Sequence, residues 1–194
     1  MKKILVFVLL FMQMAHAKEL TQGEVVAVEE YLNSIKNAES DFVQLNPDGS
    51  LSEGRFYLKK PGKFRWEYDD QPIIIVANGK SLIYYDTELE QSNYVPIEQS
   101  IAALITRRKI KFTGDLQIVS SNKTKDSTKI TAVKKEQKDV GEFTFVFTNK
   151  PFELKKVELV DSTGQAVEVS FLELKVNRAE ISDSLFKIKD SRLR

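Results

Sequence analysis

The chain has 194 residues, with 29 basic and 28 acidic side chains, one histidine and no cysteine. Near-neutral charge gives no general attraction to nucleic acid, and the missing thiol excludes a disulfide and a thiolate nucleophile. The one histidine, His16, falls in a segment expected to be removed, which leaves no Ser-His-Asp arrangement and no usual zinc site.

That segment occupies residues 1–17. Lys2 and Lys3 form a positive start, residues 4–12 are an unbroken apolar run, and Ala15-His16-Ala17 supplies the small-x-small pattern of a signal-peptidase site. The apolar run falls well short of the ~20 residues that span a bilayer as a helix. A short buried helix would be the other reading, but charge, apolar run and Ala-x-Ala together favour a cleaved signal peptide. Residues 18–194 are then the mature protein, expected as one domain. Loss of Lys2 and Lys3 leaves 27 basic against 28 acidic residues. A lipid-modified protein needs a cysteine at its mature N-terminus, and here that residue is Lys18. The expectation is a soluble exported protein whose core alone holds the fold.

The mature chain opens on a helix signal. Thr21 and Glu24 have the spacing of a capping box, and Val25, Val28, Leu32 and Ile35 recur at helical spacing, which predicts a helix over 22–36. Short strands follow, expected at 39–46, 51–60, 63–69, 73–77, 81–86 and 92–95. Pro47-Asp48-Gly49, Pro61-Gly62, Gln71-Pro72 and Asn78-Gly79 punctuate them. In 63–69, Phe64, Trp66 and Tyr68 alternate with charged residues, the pattern of a strand buried on one face. After Pro96 the spacing of Ile97, Ile101, Leu104 and Ile105 predicts a second helix over 97–106. Arg107, Arg108 and Lys109 suit its negative end.

The second half reads as strands at 116–121, 128–134, 142–148, 154–160 and 165–176, with a last short element allowed in 181–189. In the long final strand the apolar phase switches between Val167, Val169 and Phe171 and then Leu172, Leu174 and Val176, the mark of a bulge or bend. About ten antiparallel strands with two helices must curl to bury their apolar face, and two helices cannot cover both sides. A curved sheet with helices across its mouth follows. The carboxylates are scattered with no marked pair, and no phosphate loop or EF-hand spacing occurs. No catalytic residue, cofactor or metal is expected, and the chain is read as not an enzyme.

The run Phe42-Val43-Gln44, the stretch from Gly54 through Lys59-Lys60-Pro61-Gly62-Lys63-Phe64-Arg65-Trp66, the segment Ile75 to Lys80, and Asn149-Lys150-Pro151-Phe152-Glu153-Leu154-Lys155 closely resemble the LolA family of outer-membrane lipoprotein carriers. The resemblance covers essentially the whole mature chain. It implies a mainly β fold, an open antiparallel half-barrel covered by a helical lid, and a periplasmic monomer that shelters lipoprotein acyl chains. It also implies as partners the acylated lipoproteins, an inner-membrane lipoprotein-releasing ABC transporter and possible hand-over to an outer-membrane lipoprotein receptor.

On this reading Phe42, Phe56, Leu58, Phe64 and Trp66 are candidates for the cavity wall, and Ile101, Leu104 and Ile105 for the lid. Any one of them is nearly as well explained as packed core. The family commonly has Arg before the turn proline, where Lys60 stands here, so the planar fork of donors is lost while the charge is kept. Phe56, Leu58 and Lys60 share one strand face, which puts a charge at the end of an apolar row. The residues alone allow a lysine reaching to solvent; the resemblance implies a rim latch to lid carbonyls near Thr106. Competing readings are a lipid- or lipoprotein-sensing module of the same fold, a carboxylate hydrolase of envelope polymers, and a scaffold without ligand. N-terminal sequencing of protein recovered from the cell envelope should begin at Lys18, and recovery of Met1 would overturn the export expectation.

Overall fold

The structure, a computed structural model, describes residues 18–97, 102–136, 141–178 and 180–188. The leader at 1–17 and lid candidate Ile101 lie outside the described residues. Helix α1 spans Gln22–Ser34 and opens on the capping box read from sequence: the Thr21 hydroxyl accepts from the Glu24 N–H, and the Glu24 carboxylate accepts from the Thr21 N–H at 2.8 Å. It ends two residues earlier than its spacing suggested. The Asn177 side chain takes the N–H groups of Lys36 and Asn37 and donates to the Ser34 carbonyl, which turns the chain into a strand at once.

Six strands then form a meander: β1 Asn37–Leu45, β2 Leu51–Lys59, β3 Lys63–Tyr68, β4 Ile73–Asn78, β5 Ser81–Asp86 and β6 Gln91–Pro96. Helix α2, Ala102–Thr106, follows. Of the 97–106 expected, residues 98–101 lie outside the described residues. A second meander comprises β7 Leu116–Lys123, β8 Ser127–Lys134, β9 Glu142–Asn149, β10 Phe152–Val160 and β11 Ala166–Phe171. A two-residue β12, Lys175–Val176, and a 3-10 turn, Asp183–Phe186, close the described chain.

The two meanders are fused at one seam, where β1 pairs with β11, giving the order β6-β5-β4-β3-β2-β1-β11-β10-β9-β8-β7. The sheet is open, with β6 and β7 at its edges, and it curls around its apolar face. The expected final strand is in fact two. Phe42 faces Phe171 in the β1–β11 register, but Ala38 faces Val176 in the β1–β12 register, so one extra residue has been inserted between them. That insertion is what the switch of apolar phase reflected, and it bends the sheet where the two halves meet.

Concave-face side chains from both meanders form one core with α1. Under α1 the turn between β9 and β10 is tightly packed. Tyr31 meets Phe147 and Phe152 edge-on at 5.6 and 5.4 Å, these two rings stack at 4.9 Å, and the Tyr31 hydroxyl accepts from the Leu154 N–H. On the convex face the C-terminal segment folds back over β2–β4. Ile181 and Phe186 bury against Val76, and Asp183 bridges Lys59 and Lys63 at 2.7 and 2.9 Å.

Gly54, in the middle of β2, is required by packing. A Cβ there would lie 1.9 Å from the Glu67 carbonyl oxygen and 2.9 Å from the Phe42 ring, while the register sets Phe42 directly opposite. Gly54→Ala should therefore destabilise the protein by about 2–3 kcal/mol or more, the range of an overpacked core. Urea denaturation checks this; an unchanged midpoint would show that the sheet can yield there.

Candidate functional site

The first meander is not packed shut. Between its concave face and the helices lies a cavity of about 200 Å3, lined almost wholly by apolar side chains. Phe56 and Leu58 of β2 and Phe64 and Trp66 of β3 stand on its wall, because alternate residues of neighbouring strands point to one face. Phe42 does not reach the lining. It lies in the core against Trp66, with ring centroids 4.2 Å apart, and only the bare Gly54 opposite lets it lie there.

From the covering side, Ile105 of α2 faces the cavity, and so do Leu32 and Ile35 at the end of α1. Leu104 is fully buried and packs in the core beside it. Sequence reasoning missed the contribution of the second meander, where Phe145, Leu154, Val157, Val169 and Phe171 complete the wall. The Phe143-Phe145-Phe147 row was its visible signal. It also missed Gln44 and Tyr84, and it did not carry Tyr68 of the β3 alternation into the cavity wall.

Lys60 lies on the cavity wall at the β2–β3 turn, and its Nζ donates to the Leu32 carbonyl at 2.9 Å. The bond therefore goes to α1, a different helix from the one expected. The Thr106 carbonyl of α2 instead accepts the Gly62 N–H at 2.8 Å. Leu32 O and Thr106 O both belong to the last turns of their helices, where carbonyls lack intrahelical partners and the dipole is negative. The segment after α2 is tied to α1 in turn. The Asn33 side chain exchanges two hydrogen bonds with the Ile110 backbone, at 2.9 and 2.7 Å, and Glu29 accepts from the Phe112 N–H. Gly62 has φ +80°, and a Cβ on it would come within 2.9 Å of the Gly79 Cα, so this turn tolerates little else.

Among the described residues no group of His, Cys, Asp and Glu is placed to hold a metal ion, and no helix is long and apolar enough to cross a membrane. What the arrangement offers is an apolar hollow with a charged latch at one end.

A family model described as outer membrane lipoprotein carrier protein LolA matches residues 33–189. The chain belongs to the LolA family. An outer-membrane lipoprotein carrier protein of Pseudomonas putida is 32% identical over 89% of this chain and 84% of its own length. One from Coxiella burnetii is 28% identical over 85% and 82%. An uncharacterised conserved protein of Thermus thermophilus shares the fold, with a TM-score of 0.52 at 12% identity over 87% of this chain and 94% of that one.

Burial lowers the Lys60 pKa from its ordinary value to about 8. In the unfolded chain it returns to about 10.4. Between these values the folded protein binds fewer protons than the unfolded chain, so the penalty of burying the charge is full below pH 8 and fades as pH rises. Relative to Lys60→Met, the wild type should gain roughly 2–3 kcal/mol of stability between about pH 7 and 10. Paired denaturant titrations across that range check it, and a pH-independent difference would mean that Lys60 is solvated.

Proposed function

We propose that this LolA-family protein is a periplasmic carrier that holds the acyl chains of lipoproteins in the cavity beneath α1 and α2 and takes them from the inner to the outer membrane. A mature domain over 18–194, released from its leader, would act as a monomer. Cargo would come from the inner-membrane lipoprotein-releasing ABC transporter, and an outer-membrane receptor could accept it.

The observation that carries this reading is the cavity. Its apolar lining accepts hydrocarbon with nothing to hydrogen-bond, and it draws on strands of both meanders. At about 200 Å3 it falls below the ~300–1,000 Å3 of ordinary ligand pockets. Several acyl chains enter only if the helices move outward, so the bonds holding them set the balance between closed and loaded states. Lys60 to Leu32 and Gly62 to Thr106 are those bonds. A hydrogen bond from a charged donor contributes roughly 1.5–3 kcal/mol when shielded.

Mass spectrometry of lipid extracted from the protein purified from envelope should find acylated polypeptide, and persistent absence of acyl groups would sink the carrier reading. Lys60→Leu removes the latch and extends the apolar wall. Cargo should still load, but its release to acceptor membranes should slow at least several-fold, while Lys60→Arg keeps release near wild type. Unchanged release from the leucine variant, with folding and loading intact, would remove Lys60 from the gate.

A further inference from the structure

The cavity does not end at its apolar wall. Opposite the Lys60 end it continues into a polar recess, and Gln44, Tyr68 and Tyr84 line both spaces. The recess adds the amides of Gln71 and Gln165 beside Ile73 and Ile75; Asp48 is its one charged side chain among the described residues. The Tyr68 hydroxyl donates to the Gln44 carbonyl oxygen at 3.0 Å. Nearby, the Trp66 indole N–H is shielded from water and makes no hydrogen bond of normal geometry, although it lies close enough to Tyr68 to influence that phenol. A buried donor without an acceptor is uncommon and costly.

Four of the turns at this end share one sign of charge. Antiparallel pairing brings the turns at 46–50, 69–72, 87–90 and 161–165 to the same end of the sheet. They contain Asp48, Asp69, Asp70, Glu88, Glu90 and Asp161 and no lysine or arginine. Burial raises the Tyr68 phenol above its ordinary pKa, and the Asp70 carboxylate adds to that shift, so the rim charge is felt inside the recess. At the other end of the sheet the turns at 60–62, 79–80, 124–126 and 150–151 carry Lys60, Lys80, Lys125 and Lys150 against Asp126 alone.

We propose that the recess is a selectivity filter for the head of the cargo: it admits the neutral ester or amide carbonyls that join acyl chains to a polypeptide and rejects the phosphate of a phospholipid. This rests on the carrier reading above. Both kinds of lipid present the same hydrocarbon to the cavity, so the apolar wall cannot tell them apart. A carbonyl can accept from the unpartnered Trp66 N–H and from the Gln44 amide hydrogen that Asn46 does not take, and it suits a site with no cation among its described residues. A phosphate needs cations or charge-assisted donors to replace its hydration. It would meet carboxylates instead. Lys60, the described cation on the wall, sits at the far end and is engaged with α1.

The test uses the mature protein and the neutral apolar dye N-phenyl-1-naphthylamine as a cavity probe. It compares displacement by dioctanoylglycerol and by dioctanoyl phosphatidic acid, which differ only in the phosphate. The glycerol lipid should displace the dye at about tenfold lower concentration, the order of one like-charge contact near a protein surface. That preference should shrink at high ionic strength. Asp70→Lys with Glu88→Lys reverses charge at two exposed rim positions that do not line the recess. It should bring the two lipids to within about twofold of each other while leaving dye affinity unchanged. Equal displacement by both lipids in the wild type, with the dye still bound, would overturn the filter and leave the carrier reading standing. A preference that persists in the double variant would also overturn it. If the dye does not bind at all, the cavity reading falls and the filter with it.

Discussion

One turn ties both covering helices of this half-barrel to its first meander. At 60–62 the chain reverses between β2 and β3 and sends out two donors, the Lys60 ammonium to the end of α1 and the Gly62 N–H to the end of α2. Each meets a last-turn carbonyl that its helix cannot satisfy. Neither helix is held by strong propensity: α2 is described over five residues only, and α1 has no basic residue in its own last turn. Docking rather than local preference therefore keeps them over the concave face, and the docking is concentrated where strand, turn and cavity meet.

The concave face explains why so little holds the cover. An open sheet of this length exposes more apolar surface than two short helices can pack, and the second meander consumes most of α1 through Tyr31, Phe147 and Phe152. What remains over the first meander is a hollow. In a protein selected only for stability such a hollow would be filled, because unfilled apolar volume costs free energy. On the carrier reading the emptiness is the capacity to take hydrocarbon, and Lys60 marks its limit. Its charge is too deep to be comfortable and is compensated only by a carbonyl and a helix dipole. A latch of that kind is poised, since the bond and the burial penalty are of similar size.

Charge is distributed with equal economy. The whole chain is nearly neutral, yet the strand order brings four acidic turns, at 46–50, 69–72, 87–90 and 161–165, to one end of the sheet. The two ends of the cavity therefore see different fields.

Much of this was legible in the residues. The capping box at Thr21, the helical stripe of α1, the strand alternation at Phe64, Trp66 and Tyr68 and the phase switch after Phe171 are local signals, set by the periods of helix and strand. They located nearly every element, and the Lys60-Pro61-Gly62 run pointed to the family. Long-range facts stayed hidden. No local pattern tells that β1 pairs with β11, that Phe42 lies beneath Trp66 because Gly54 stands opposite, or that Lys60 reaches Leu32 rather than Thr106. Nor does net charge reveal a separation of charge. The physical reason is common to all of them. Periodicity fixes which face a side chain occupies, whereas its partner depends on which distant strand or helix the curled sheet brings across the cavity.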